Sequence, residues 1–147
     1  MSPSAKRFFS KEDQEKIMTA ILNAEMDTSG EIRVHIESTL KGDVLDRAAF
    51  IFKQLKMDRT ELRNGVLFYL AVKSHKFAII GDVGINKEVP DNFWDDIKNK
   101  MTEYFKQNKF TEGLVYGITE TGKHLKKHFP HHLDDINELP DEISFGK

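Results

Sequence analysis

The run Gly65-Val66-Leu67-Phe68-Tyr69-Leu70-Ala71-Val72 is followed, after only Lys73-Ser74-His75, by Lys76-Phe77-Ala78-Ile79-Ile80. A stretch with no charge and no alternation suits a strand covered on both faces. A connection that short cannot cross over, so the two strands must pair antiparallel. The rest of the chain has to supply apolar cover for both sides of this hairpin.

The flanking sequence supplies it. In Glu31–Glu37 the alternation is strict: Ile32, Val34 and Ile36 point one way, and Glu31, Arg33, His35 and Glu37 the other. That pattern predicts a half-buried strand. Val44, Leu45, Ala48, Phe52 and Leu55 then mark a helix ending near Lys56, and strand, helix, strand predicts a right-handed parallel βαβ unit. Upstream, Ser10 offers a helix cap with Asp13 three residues on, and Ile17, Met18, Ile21 and Leu22 recur at helical spacing. This predicts a helix over about 11–26, closed by Asp27-Thr28-Ser29-Gly30. Downstream, a helix is expected from about Asp91 to Gln107 with Trp94, Ile97, Met101 and Phe105 inward. Thr111 is the expected cap of a last helix carrying Leu114, Val115, Ile118, Leu125 and Phe129. The sum is an α/β fold, a three-layer α/β/α sandwich around a small mixed sheet of about four strands, spanning residues 10–129. Residues 1–9 read as a flexible arm and residues 130–147 as an acidic, mobile tail.

Composition narrows the chemistry. The 147 residues suit one domain. Basic residues number 22 against 24 acidic, for a net charge of −2, with no basic stripe of the kind nucleic acid demands. There is no cysteine, which removes disulfides, thiolate metal sites and thiol nucleophiles. Any metal must be held by oxygen or imidazole. The N-terminal residues 1–9 have no apolar run long enough for a signal peptide, and no stretch approaches the ~20 residues of a membrane span, so the expected compartment is the cytoplasm.

The most informative feature is a pair of loops, Met57–Gly65 and Gly81–Asp91. One enters the long apolar strand and the other leaves its antiparallel neighbour, so both fall at one edge of the sheet. Together they bring Asp58, Glu61, Asn64, Asp82, Asn86, Glu88 and Asp91 to one place. Crowded carboxylates repel unless neutralised. A hard cation answers this, because Ca²⁺ accepts about 6–8 oxygens in loose geometry, and Gly81 and Gly84 permit the turns that point carbonyls inward. The same residues also serve as caps and solvated loop groups, and Asp91 is a good helix cap. The spacing of Asp82, Asn86 and Glu88 is not that of an EF-hand.

Gly30-Glu31-Ile32-Arg33-Val34, Arg63-Asn64-Gly65-Val66-Leu67 and Gly81-Asp82-Val83-Gly84-Ile85, then Trp94 at a helix head and Gly113-Leu114 in the last helix, resemble the TPM domain, a family named for thylakoid, membrane and related proteins. The likeness spans roughly residues 10–129. It implies an α/β/α sandwich with crossing loops that hold divalent cations, one or two ions, Ca²⁺ foremost and Mg²⁺ as the alternative. It also implies an acid phosphatase activity reported for some plant members, and a role there in photosystem II repair. Asp82 matches the acidic position of the glycine-rich loop, and Asn64 the Asn-Gly before the central strand. Many members carry an N-terminal signal and a C-terminal membrane helix; neither pattern stands in this sequence, which resembles a stand-alone soluble member.

The expected function is a metal-binding regulatory or interaction module with a protein partner, and the alternative is a metal-dependent phosphatase. A phosphatase needs a metal-activated water or a nucleophile, and cations for the phosphoryl oxygens. Arg59, Arg63 and Lys87 are placed for that, or else offset the carboxylates; no Walker loop and no Asp-x-Asp motif is present. His124, His128, His131 and His132 crowd the end of the last helix, where Lys123, Lys126 and Lys127 favour a solvated basic terminus over a metal site. Glu31, Arg33, His35 and Glu37 read as structural pairs on the polar face of the first strand, with His35 able to titrate near neutrality.

Overall fold

The computed structural model describes residues 5–26, 28–130 and 142–146. The elements are α1 (Ala5–Phe8), α2 (Lys11–Glu25), β1 (Glu31–Glu37), α3 (Val44–Gln54), a 3-10 turn (Met57–Arg59), β2 (Gly65–Ala71), β3 (Lys76–Gly81), α4 (Val83–Asn86), α5 (Asp95–Lys106), α6 (Phe110–His128) and β4 (Ser144–Phe145). The sheet order is β3-β2-β1-β4. β1 runs parallel to β2 and β4, and β2 antiparallel to β3. The fold is the expected α/β/α sandwich with a mixed four-stranded sheet.

The two halves of the core follow from the alternation of β2. Val66, Phe68 and Leu70 join Ile32, Val34 and Ile36 of β1 under α2, α5 and α6. Leu67, Tyr69 and Ala71 face the other way, onto Ala48, Ile51 and Phe52 of α3. Both faces being covered, β2 is buried along its whole length, which is why it carries no charge. Ser10 caps α2 as expected, its hydroxyl accepting from Asp13 N at 3.0 Å.

Four expectations change. β1 is buried at all seven positions rather than half-buried, its polar face engaged by Arg47 of α3 and by Glu142 and Ser144. α5 begins at Asp95, four residues past Asp91, so Asp91 caps nothing. Thr111 lies inside α6 and is buried, and Lys109 holds the cap position with no side-chain bond. The arm is structured from Ala5 onward, with Ala5 and Phe9 in the core. Of the expected tail, residues 131–141 lie outside the described residues. Beyond them Ser144–Phe145 forms β4, the fourth strand that periodicity did not reveal.

Candidate functional site

Glu31 pairs with Gly65, and Val66 with Gly81. β1 and β2 therefore begin where β3 ends, and the two loops meet at that edge as expected. Their backbones interlock. Gly84 N donates to Arg63 O at 2.8 Å, and Asp82 N to Gly65 O at 3.0 Å. A Cβ on Gly84 would lie 2.1 Å from Leu62 O and 2.6 Å from Arg63 O, so only glycine permits this approach. Arg63 itself takes a left-handed φ of 51°. Asn64 is fully buried and acts as a pin: its N–H meets Thr60 Oγ1 at 3.3 Å and its amide donates to Ser29 Oγ at 3.4 Å.

The seven expected ligands do not converge as a cage. Asp82 is buried, and both its oxygens accept from Arg63: Nε to Oδ2 at 2.8 Å and Nη2 to Oδ1 at 2.9 Å. Val83 N also donates to Oδ1, at 2.7 Å. The hydrogen bond to Asp82 raises the pKa of the guanidinium, with the charges of Asp82 and Asp58 adding to the effect. Asp58 is half-buried on the 3-10 turn, while Glu61, Asn86, Glu88 and Asp91 are exposed. The Asn86 amide nitrogen donates to Gly81 O at 3.0 Å. Among the described residues no three His, Asp or Glu side chains stand close enough to hold a metal ion. The oxygen-only donors suit a hard cation in kind, but in this conformation they do not fit one, since Arg63 fills the place. Charge neutralisation, read from the sequence as the work of a metal, is done here by Arg63.

The expected basic helix end is observed in part. His124 packs edge-on against Phe93, ring centroids 4.6 Å apart, and burial lowers its pKa. His131 and His132 lie outside the described residues.

A second polar cluster, read from the sequence only as structural pairs, lies at the carboxyl end of β1. Glu37 accepts from Arg47 Nε at 3.1 Å and Nη2 at 2.8 Å, from the Tyr69 hydroxyl at 3.3 Å, and bonds His35 Nε2 at 2.9 Å. His35 Nδ1 lies 2.8 Å from Ser144 Oγ. Burial lowers the pKa of His35, and burial with the Glu37 charge pushes Tyr69 up to about 12. The cluster borders a cavity of about 670 Å³ between α3 and β4. Alternation showed that these β1 side chains share a face, but nothing local showed that Ser144 would join them from 109 residues away.

The sequence matches the TPM domain over residues 4–124. No curated protein sequence matches it. Among solved structures it is similar to the NMR structure of BA42 protein from the psychrophilic bacterium Bizionia argentinensis, at 52% identity and a TM-score of 0.88, over 95% of this chain and 96% of that one. It also resembles the N-terminal domain of cg2496 from Corynebacterium glutamicum, at 17% identity, TM-score 0.64 and 84% of each chain. The N-terminal domain of a protein from P. gingivalis is similar at 18% identity and TM-score 0.68, over 84% of this chain and 83% of that one. The last two speak for the fold alone. Among the described residues no helix is long and apolar enough to cross a membrane. With the family pattern covering most of the sequence, and a relative at half identity sharing its sandwich over nearly the whole of both chains, the chain belongs to the TPM domain family.

Proposed function

We propose that this TPM domain is a regulatory or interaction module whose responsive element is the loop pair at the amino ends of β1 and β2, and whose effector is a divalent cation of the calcium type. The observation that carries the reading is the Arg63–Asp82 pair. A buried carboxylate requires a counter-charge. Here that charge comes from an arginine whose side chain is 44% exposed, on a loop, and therefore replaceable. A divalent cation competes for the same carboxylate with twice the charge. Asp82 would hold it, and Asp58, Glu61, Asn64, Asn86, Glu88 and Asp91 are the neighbouring oxygen donors. Most of these now face solvent, so occupancy by one or two ions would draw the loops together and change the surface offered to a protein partner.

The test is a calcium titration of the isotopically labelled protein, followed amide by amide. Shifts confined to Met57–Gly65 and Gly81–Asp91, lost in Asp82→Asn and tightened in Arg63→Gln, support the reading. Silence of both loops at millimolar Ca²⁺ and Mg²⁺ ends it. The metal-dependent phosphatase is the second reading, favoured by the cations Arg59, Arg63 and Lys87 around the loops. Commitment of Arg63 to Asp82 weighs against it. Equal, background-level phosphate release from an aryl phosphate by wild type and Asp82→Ala removes it.

A further inference from the structure

The cluster at the carboxyl end of β1 is not used by the loop pair, and its connectivity is directional. We propose that Ser144 is a base-activated nucleophile, with His35 as its base and Glu37 as the group that orients His35, and that the adjoining cavity takes small carboxylic esters.

The proton positions follow from the partners. Glu37 receives Arg47 and the Tyr69 hydroxyl, so it is an ionised acceptor. An acceptor-only carboxylate obliges His35 Nε2 to donate. In the neutral ring Nδ1 then carries the lone pair, and Ser144 Oγ at 2.8 Å must donate to it. Hydroxyl, imidazole and carboxylate are thus linked in the order that activates a serine, each within hydrogen-bond reach. The ring is reversed from the usual protease arrangement, with the hydroxyl on Nδ1 and the carboxylate on Nε2. Burial keeps His35 neutral at pH 7, the state a base needs.

Position agrees with chemistry. In open α/β sheets ligands bind beyond the carboxyl ends of the strands, where successive connections leave on opposite faces. α3, which links β1 to β2, packs on one face of the sheet, and α5 and α6 pack on the other. The crevice lies at the carboxyl ends of β1 and β4. Its volume of about 670 Å³ is within the ~300–1,000 Å³ of small-molecule sites. Leu40, Ile51, Leu55 and Phe145 supply its apolar walls, and Lys41 adds a cation beside the Arg47–Glu37 pair. A short acyl chain with an anionic end suits such a lining. Gly146 N is spent on Ile36 O. By the alternation of the parallel ladder, the N–H of Phe145, the residue after the nucleophile, is on the outer edge, where it can serve a developing oxyanion.

In the step itself, Ser144 Oγ bonds to the ester carbonyl carbon as its proton passes to His35 Nδ1. The bond from carbonyl carbon to alkoxy oxygen breaks, and the alcohol leaves with that proton. Water then attacks the acyl-serine, gives a proton to Nδ1, and frees the acid as the proton returns to Ser144. Ester and water become acid and alcohol.

The full-length protein is treated with a fluorophosphonate and, separately, with p-nitrophenyl butyrate. The expected result is one adduct, mapped to Ser144 by peptide mass spectrometry, and ester turnover above background. Ser144→Ala and His35→Gln should each lower turnover by about 100-fold or more. Glu37→Gln should move the acid limb of the labelling rate to lower pH, because Glu37 favours the protonated ring. Calcium and chelator should leave labelling unchanged, so failure of the loop-pair reading does not affect this one. No adduct on wild type, an adduct elsewhere, or equal turnover by wild type and Ser144→Ala overturns the proposal and leaves the cluster as a latch for β4. The wild-type mapping decides even if a variant misfolds.

Discussion

Two arginine–carboxylate pairs stand at opposite ends of the sheet, Arg63–Asp82 where β1 and β2 begin and Arg47–Glu37 where β1 ends. By simple measures they are twins. The carboxylates are 4% and 5% exposed, and the arginines 44% and 38%. They differ in what else holds the negative charge. Asp82 has one further donor, the N–H of Val83. Glu37 has His35 and Tyr69 besides, and Arg47 lies over the Phe50 ring at 5.3 Å. A carboxylate with a single side-chain counter-ion can exchange it. A carboxylate at the centre of a shared network cannot, and instead fixes the protonation of its neighbours. The first arrangement suits a switch and the second suits proton-transfer chemistry.

Three experiments press on that contrast. The largest effect is expected from Glu37→Ala. It leaves Arg47, Tyr69 and His35 without their acceptor and should cost about 3 kcal/mol in urea denaturation. Asp82→Ala, measured alongside, should cost about 1 kcal/mol, the value of a lost helix cap. Equal losses would erase the distinction. Next comes Gly84→Ala, whose added methyl meets two carbonyl oxygens of the facing loop. It should cost about 2 kcal/mol and speed amide exchange in both loops, while the Tyr69 and His35 signals stay unmoved. The smallest effect is on pH dependence. His35 has its pKa lowered from 6.5 by burial, so the unfolded chain binds the proton more readily than the folded one. Stability from His35 is therefore complete above pH 6.5 and is lost as pH falls below it. His35→Gln should flatten the melting temperature between pH 7 and pH 5. His124, whose pKa burial also lowers, will supply part of the wild-type slope.

Much of the fold was legible because it rests on local periodicity. The uncharged β2 run, the turn into β3 and the spacing of α2, α3 and α6 depend on near neighbours, and all appeared where expected. Boundaries set by tertiary packing did not. α5 starts late because Asp91–Trp94 is taken up in turns between α4 and the helix. β4 is two residues long, too short for any period to declare itself.

The candidate sites divide the same way. The sequence by itself determined that the two acidic loops share an edge, since the ends of an antiparallel pair must coincide, and that only oxygen and imidazole are available as ligands. Only the tertiary structure decided that Arg63 neutralises Asp82. A side chain's partner depends on where the backbone aims it, and Arg63 is aimed by a left-handed φ and by the close approach at Gly84. Only the tertiary structure placed Ser144 on His35. Hydrogen bonds act over about 3 Å, and nothing along the chain records which distant residues will come that close.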